Sequence, residues 1–147
     1  LILSRDVAEH LSLKPDEVTE LMHKSGNWFV ENGFEQPSLY VPPAWAIGKI
    51  SKRAMRGCGY SQVETLSGVV FLKSGQTKRL PLVGFEADTF RRELALRLFN
   101  GVALMMPTTK PLRVSIHPSD HKLRLGKNLQ KVLQRCTEAL SYSEILL

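Results

Sequence analysis

Segments with helical hydrophobic spacing alternate with short β-like runs along almost the whole chain, and this alternation constrains the fold more than any other feature. Pro15 suits a first helical position, with Asp16 and Glu17 placing negative charge in the first turn. Val18, Leu21, Met22, Ser25, Trp28 and Phe29 recur at helical spacing before Gly33, a natural stop, so a helix is predicted over 15–32. Leu39-Tyr40-Val41 reads as a short strand ended by Pro42-Pro43, because proline cannot continue a ladder. A second helix is expected over 46–56, then an extended segment over 60–65. Apolar runs at 69–72 and 80–85 flank Ser74-Gly75 and predict a hairpin. A helix over 89–105, capped by Asp88, is expected to turn Phe90, Leu94, Leu98 and Val102 inward. A strand over 112–116 and a helix over 125–140 follow, the latter with Leu125, Leu129, Val132, Leu133 and Cys136 inward. Residues 142–147 are read as a last strand.

Helices alternating with strands imply an α/β fold built on βα units and a mainly parallel sheet. The 147 residues fit a single domain spanning 1–147. With 43% hydrophobic and 23% charged residues the composition is ordinary for a globular chain, which excludes a disordered one. No apolar run approaches the roughly 18 residues of a membrane span. Residues 1–48 carry 3 Lys and Arg against 7 Asp and Glu, a net of −4, whereas residues 49–147 carry 17 against 7, a net of +10. The basic residues are scattered, without interleaved aromatics, so solvated helix faces explain them better than a nucleic-acid tract. Cys58 and Cys136 form no C-x-x-C pair. Two buried free thiols are the default, with a long-range disulfide the alternative.

In parallel βα folds chemistry gathers in loops at the carboxyl ends of strands, and two loops meet that condition. In Leu39-Tyr40-Val41-Pro42-Pro43-Ala44-Trp45 the two prolines stiffen the backbone, so Trp45 is presented from a rigid loop as a wall for a sugar ring. The alternative is that Trp45 only anchors the next helix. In Val114-Ser115-Ile116-His117-Pro118-Ser119-Asp120, His117 stands where the strand should end. A histidine there can serve as general acid or base, with Asp120 orienting it. The alternative makes His117 a structural residue and Asp120 a helix cap.

Taken together, strand, P-P-A-W, about 70 residues, strand and H-P-S-D resemble the NodB-like polysaccharide deacetylases, in a divergent branch. Gly59-Tyr60, Val63-Glu64-Thr65 and a basic helix with Arg91, Arg92 and Asn100 stand between the two motifs. The resemblance covers nearly the whole chain, although its distinctive motifs are few. It implies a deformed seven-stranded (β/α) barrel and hydrolysis of acetyl groups on a carbohydrate. It also implies a divalent, zinc-type metal whose bound water attacks the acetyl carbonyl. By the same resemblance His117 protonates the leaving group, and Pro43 and Trp45 line the substrate pocket.

The family's early acidic pair and paired histidines do not occur here, and His10 and His23 read as helix-surface positions. Val41 stands where the family commonly has an arginine. With a start at Leu1, the expectation is therefore a C-terminal portion of a barrel, lacking the first strands and the metal ligands. A fragment of that kind is expected to be inactive alone and to self-associate through its open edge; its compartment is not fixed, the cytoplasm being the default. Two other readings remain. Residues 3–23 have the rhythm of a DNA-binding helix-turn-helix, although Asp16, Glu17 and Glu20 oppose phosphate contact. The Trp45 loop would also suit a non-catalytic carbohydrate-binding module.

Overall fold

The computed structural model describes residues 9–87, 89–105 and 111–145. These form a mixed α/β structure with four α-helices, and the chain divides into two units between Arg79 and Leu80, described in turn.

In the first unit, α1 (Pro15–Glu31) runs as its sequence predicts. The Lys14 N–H donates to Glu17 Oε2 at 2.6 Å, which satisfies an orphan donor at the helix start. At the other end Gly33 takes a φ of 81°, and Phe34 N–H turns back to Phe29 O at 2.9 Å. Val18 and Met22 are fully buried, whereas Leu21, Trp28 and Phe29, which share their helical spacing, are each more than a third exposed. Helical spacing marks an apolar stripe wider than the part its neighbours cover.

β1 (Leu39–Tyr40), β2 (Gln62–Thr65), β3 (Gly68–Phe71) and β4 (Thr77–Arg79) form a sheet in that order. β1 is parallel to β2, with Tyr40 opposite Val63, but β2, β3 and β4 are an antiparallel meander. The expectation of a mainly parallel sheet is therefore corrected for this unit. The connections from β2 to β3 and from β3 to β4 are too short for anything but antiparallel neighbours. The Ser74-Gly75 hairpin forms, but β3 pairs with Thr77–Arg79 and not with 80–85. Gly75, at a φ of 73°, closes the turn tightly enough to set Thr77 opposite Val70. At the other end of β3, Gly68 lies against the Lys78 carbonyl, where a Cβ would collide.

α2 (Lys52–Gly57) starts later than the expected Ala46. Gly48, at a φ of 78°, packs against the His10 carbonyl, and the chain becomes helical only where Ser51 Oγ accepts Ala54 N–H at 3.1 Å. Val18 and Met22 of α1, Met55 and Cys58 at α2, and Tyr40, Tyr60, Val63, Val70 and Leu72 make the core. Burial of a valine- or methionine-sized side chain contributes roughly 1.5–3 kcal/mol. His10, read as a helix-surface position, is instead buried in a single 3₁₀ turn, Glu9–Leu11. Residues 3–8 of the helix-turn-helix reading lie outside the described residues.

The second unit is a βαβ arrangement followed by a helix. β5 (Leu82–Val83) and β6 (Arg113–Val114) are parallel neighbours, with α3 (Phe90–Leu104) between them in sequence and α4 (Gly126–Gln134) after them. Phe90, Leu94, Leu98 and Val102, the expected inward face of α3, are each more than half exposed. The covered stripe is Leu96, Asn100 and Ala103, because Asn100 clasps the strand end. Its Oδ1 accepts Gly84 N–H at 3.1 Å and its Nδ2 donates to Gly84 O at 2.7 Å. The Thr89 hydroxyl caps the helix by accepting Arg92 N–H at 3.4 Å, and the proposed cap Asp88 lies outside the described residues.

Leu125 and Leu129 are buried with Val83, Phe85, Ala87 and Ala103, and Val132 packs beside them. α4 ends at Gln134, short of 140, which leaves Cys136 beyond the helix and exposed, while Leu133 is exposed inside α4, off the stripe that Leu125 and Leu129 bury. Both cysteines are free, and of the two only Cys58 is buried. Residues 142–144 form a turn and not the expected strand, since Ser141 N–H and Oγ both donate to Glu144 Oε2 at 2.7 Å. No helix among the described residues is long and apolar enough to cross a membrane.

Candidate functional site

The first loop follows the carboxyl end of β1, inside the first unit. Pro42 is fully buried, and Pro43, Ala44 and Trp45 make one tight turn closed by Trp45 N–H to Pro42 O at 2.9 Å and Ala46 N–H to Pro43 O at 3.1 Å. Ala44 (φ 50°, ψ 26°) and Trp45 (φ 58°) both sit in the left-handed region. That region costs an L residue roughly 1–2 kcal/mol and is unusual for a bulky side chain. Pro43 and Trp45 are partly exposed, so the turn holds an aromatic face at the surface in a fixed, strained pose.

Beneath the loop, Tyr40 of β1 anchors it to the core. The Tyr40 hydroxyl and His10 Nε2 share a 2.6 Å hydrogen bond, and the Tyr40 ring meets the Tyr60 ring edge-on at 5.0 Å. Burial pushes the Tyr40 phenol up to about 12 and lowers His10 below its ordinary value, Glu9 partly opposing the latter. Burial also raises the Cys58 thiol. Burial thus favours the neutral form of each group. The His10–Tyr40 pair supports the loop from below.

The second loop follows the carboxyl end of β6, inside the second unit. Ser115 N–H adds one more ladder bond to Val83 O at 2.9 Å, and the chain then leaves the sheet at Ile116. Asp120 is completely buried, and its Oδ2 accepts His117 N–H at 2.9 Å while Asp120 N–H returns to His117 O at 3.0 Å. The same oxygen is 3.6 Å from His117 Nδ1, beyond a good hydrogen bond. Asp120 therefore grips the histidine by its backbone first. The His117 side chain stays half exposed, able to meet a ligand. Gly126 permits the compact 117–126 turn, because a Cβ there would strike the His121 carbonyl.

Pro43 and Trp45 thus share one turn of the first unit, and His117 and Asp120 share one turn of the second. Among the described residues no three His, Cys, Asp or Glu side chains gather as a divalent cation needs, so these residues by themselves do not fit a metal centre. Spacing alone does not reveal three supporting features: the His10–Tyr40 bond, the Asn100 clasp on Gly84 and the bond from Lys52 Nζ to Gly75 O. A polar residue inside an apolar helix pattern was the available signal for Asn100. No protein-family model, curated protein or solved structure matches this chain.

Proposed function

We propose that this chain is part of a polysaccharide deacetylase-like hydrolase and contributes the leaving-group side of its site. The observation that carries the reading is positional. Each motif loop follows the carboxyl end of a strand that has a parallel neighbour, Tyr40 beside Val63 and Val114 beside Val83. Each parallel pair, taken within its own unit, is the pairing that a (β/α) fold uses.

In this reading Trp45 packs its ring on the C–H face of a sugar, and Pro43 fills the wall beside it. As water adds to the acetyl carbon and the C–N or C–O bond breaks, His117 gives its proton to the departing nitrogen or oxygen. Asp120 is a positioning residue that holds His117 through its backbone N–H. A divalent metal of the kind expected in such enzymes would supply activation of the attacking water. Its ligands are not assigned to residues of this chain.

The test is binding of an N- or O-acetylated oligosaccharide, read by tryptophan fluorescence in a Trp28→Phe background. Saturable quenching of Trp45, with titration calorimetry showing that Trp45→Ala loses the binding, is the expected result. No change up to millimolar sugar would overturn the reading. Self-association through an open barrel edge belongs to the same proposal, supported by the exposed Phe90, Leu94, Leu98 and Val102 of α3. A monodisperse monomer in sedimentation at tens of micromolar would remove that part.

A further inference from the structure

Between Gln36 and Phe85 the chain contains seven Lys and Arg residues and one acid, Glu64, which is buried. In sequence these cations look scattered, but the first unit gathers five of them. Met55 and Cys58 turn α2 toward the core, which leaves Lys52, Arg53 and Arg56 together on its exposed side at i, i+1 and i+4. Lys49 is exposed just before that helix. Lys52 Nζ donates to the Gly75 carbonyl, which ties α2 to the β3–β4 turn, and that turn carries the exposed Lys73. Lys49, Arg53, Arg56 and Lys73 have no carboxylate partner among the described residues.

From this surface we infer that the glycan this protein handles is anionic, a polysaccharide bearing carboxylates, and that the α2 face binds its charges beside the Trp45 turn. The inference rests on the carbohydrate reading above and deepens it. Trp45 precedes Lys49 by four residues of the same connection, and both are at least partly exposed. Duplex DNA fits this surface less well. It carries about one charge per 1.7 Å and needs a long positive track. Here the cationic face is short, and the helix packed beside it is acidic at its start. The Cys58 thiol lies 3.8 Å from the Thr19 carbonyl, which sets the end of α2 beside the α1 turns that carry Asp16, Glu17 and Glu20.

The experiment measures binding of polygalacturonate, of neutral dextran and of duplex DNA to the full chain at 50 and 200 mM salt. The first variant is Lys49→Gln/Arg53→Gln/Arg56→Gln, which spares Lys52 because its ammonium holds the turn. A control variant, Lys127→Gln/Lys131→Gln/Arg135→Gln, removes the same charge from exposed positions of the second unit. We expect polygalacturonate to bind, to weaken about tenfold between the two salts, and to weaken at least about tenfold in the first variant but under about threefold in the control. Lys73→Gln should give a smaller loss of the same kind. Three results would overturn the inference: no binding at 50 mM salt, equal losses in both triple variants, or duplex DNA binding as tightly as polygalacturonate. Retained polygalacturonate binding with no Trp45 response to acetylated sugar would instead defeat the deacetylase reading alone.

Discussion

Replacing Asp120 tests the turn that presents His117. The side chain is fully buried, and its Oδ2 accepts His117 N–H at 2.9 Å. A hydrogen bond to a charged acceptor is worth roughly 1.5–3 kcal/mol. Part of that is offset in Asp120→Ala, since Oδ1 has no hydrogen-bond partner among the described residues and its desolvation cost is relieved. The net expectation is a loss of about 2 kcal/mol, or about 8–16 °C in melting temperature for a unit of this size. Asp120→Asn keeps a carbonyl acceptor and should lose under about 1 kcal/mol. Amide hydrogen exchange gives the local readout. The His117 N–H should exchange roughly thirtyfold faster in Asp120→Ala, because each 1.4 kcal/mol is tenfold. If Asp120→Ala keeps that amide protected within about threefold and melts within about 2 °C of the parent, the carboxylate does not hold the histidine.

Other expectations follow from the same geometry. Gly68→Ala should destabilise the first unit by about 2 kcal/mol or more in urea denaturation, because its φ of 153° and the adjacent Lys78 backbone leave no room for a Cβ. Ala44→Gly should stabilise by up to about 1 kcal/mol, since glycine relieves the left-handed strain while losing more entropy on folding; a lower melting temperature would contradict the strain. His10 has a folded-state pKa below its ordinary value, so its stabilising contribution is complete above about pH 6.5 and falls as the pH drops toward the lower folded value. Denaturation between pH 5 and 7 should therefore be flatter in His10→Phe. Tyr40 is displaced the other way: its contribution is complete below about pH 10 and is lost as the pH rises toward 12, by about 2–3 kcal/mol in all. An unchanged alkaline limb in Tyr40→Phe would refute that assignment.

Punctuation was legible in the chain, and packing was not. Pro15, Gly33, Pro42 and Gly75 act within a few residues of themselves, so α1, the end of β1 and the β3–β4 turn stand where local rules put them. Asp120 could be paired with His117 because three residues separate them and a carboxylate reaches that far. Leu94 and Leu98 misled because periodicity marks a helix without saying which stripe is covered. Residues 46–51 fell inside the expected second helix, yet Gly48, at a φ of 78° against the carbonyl of distant His10, leaves the helical region and α2 begins only at Lys52.

The sequence by itself determined α1, the end of β1 at Pro42 and the turn at Gly75 between β3 and β4. All of these follow from dihedral limits, capping and local reach. Only the tertiary structure decided that the first sheet is mostly antiparallel, that Asn100 and not Leu98 faces β5, and that Lys52 joins α2 to a turn that carries another cation. Those outcomes depend on which distant surfaces compete for burial and which polar groups must find partners away from water. Spacing along one chain does not encode that competition.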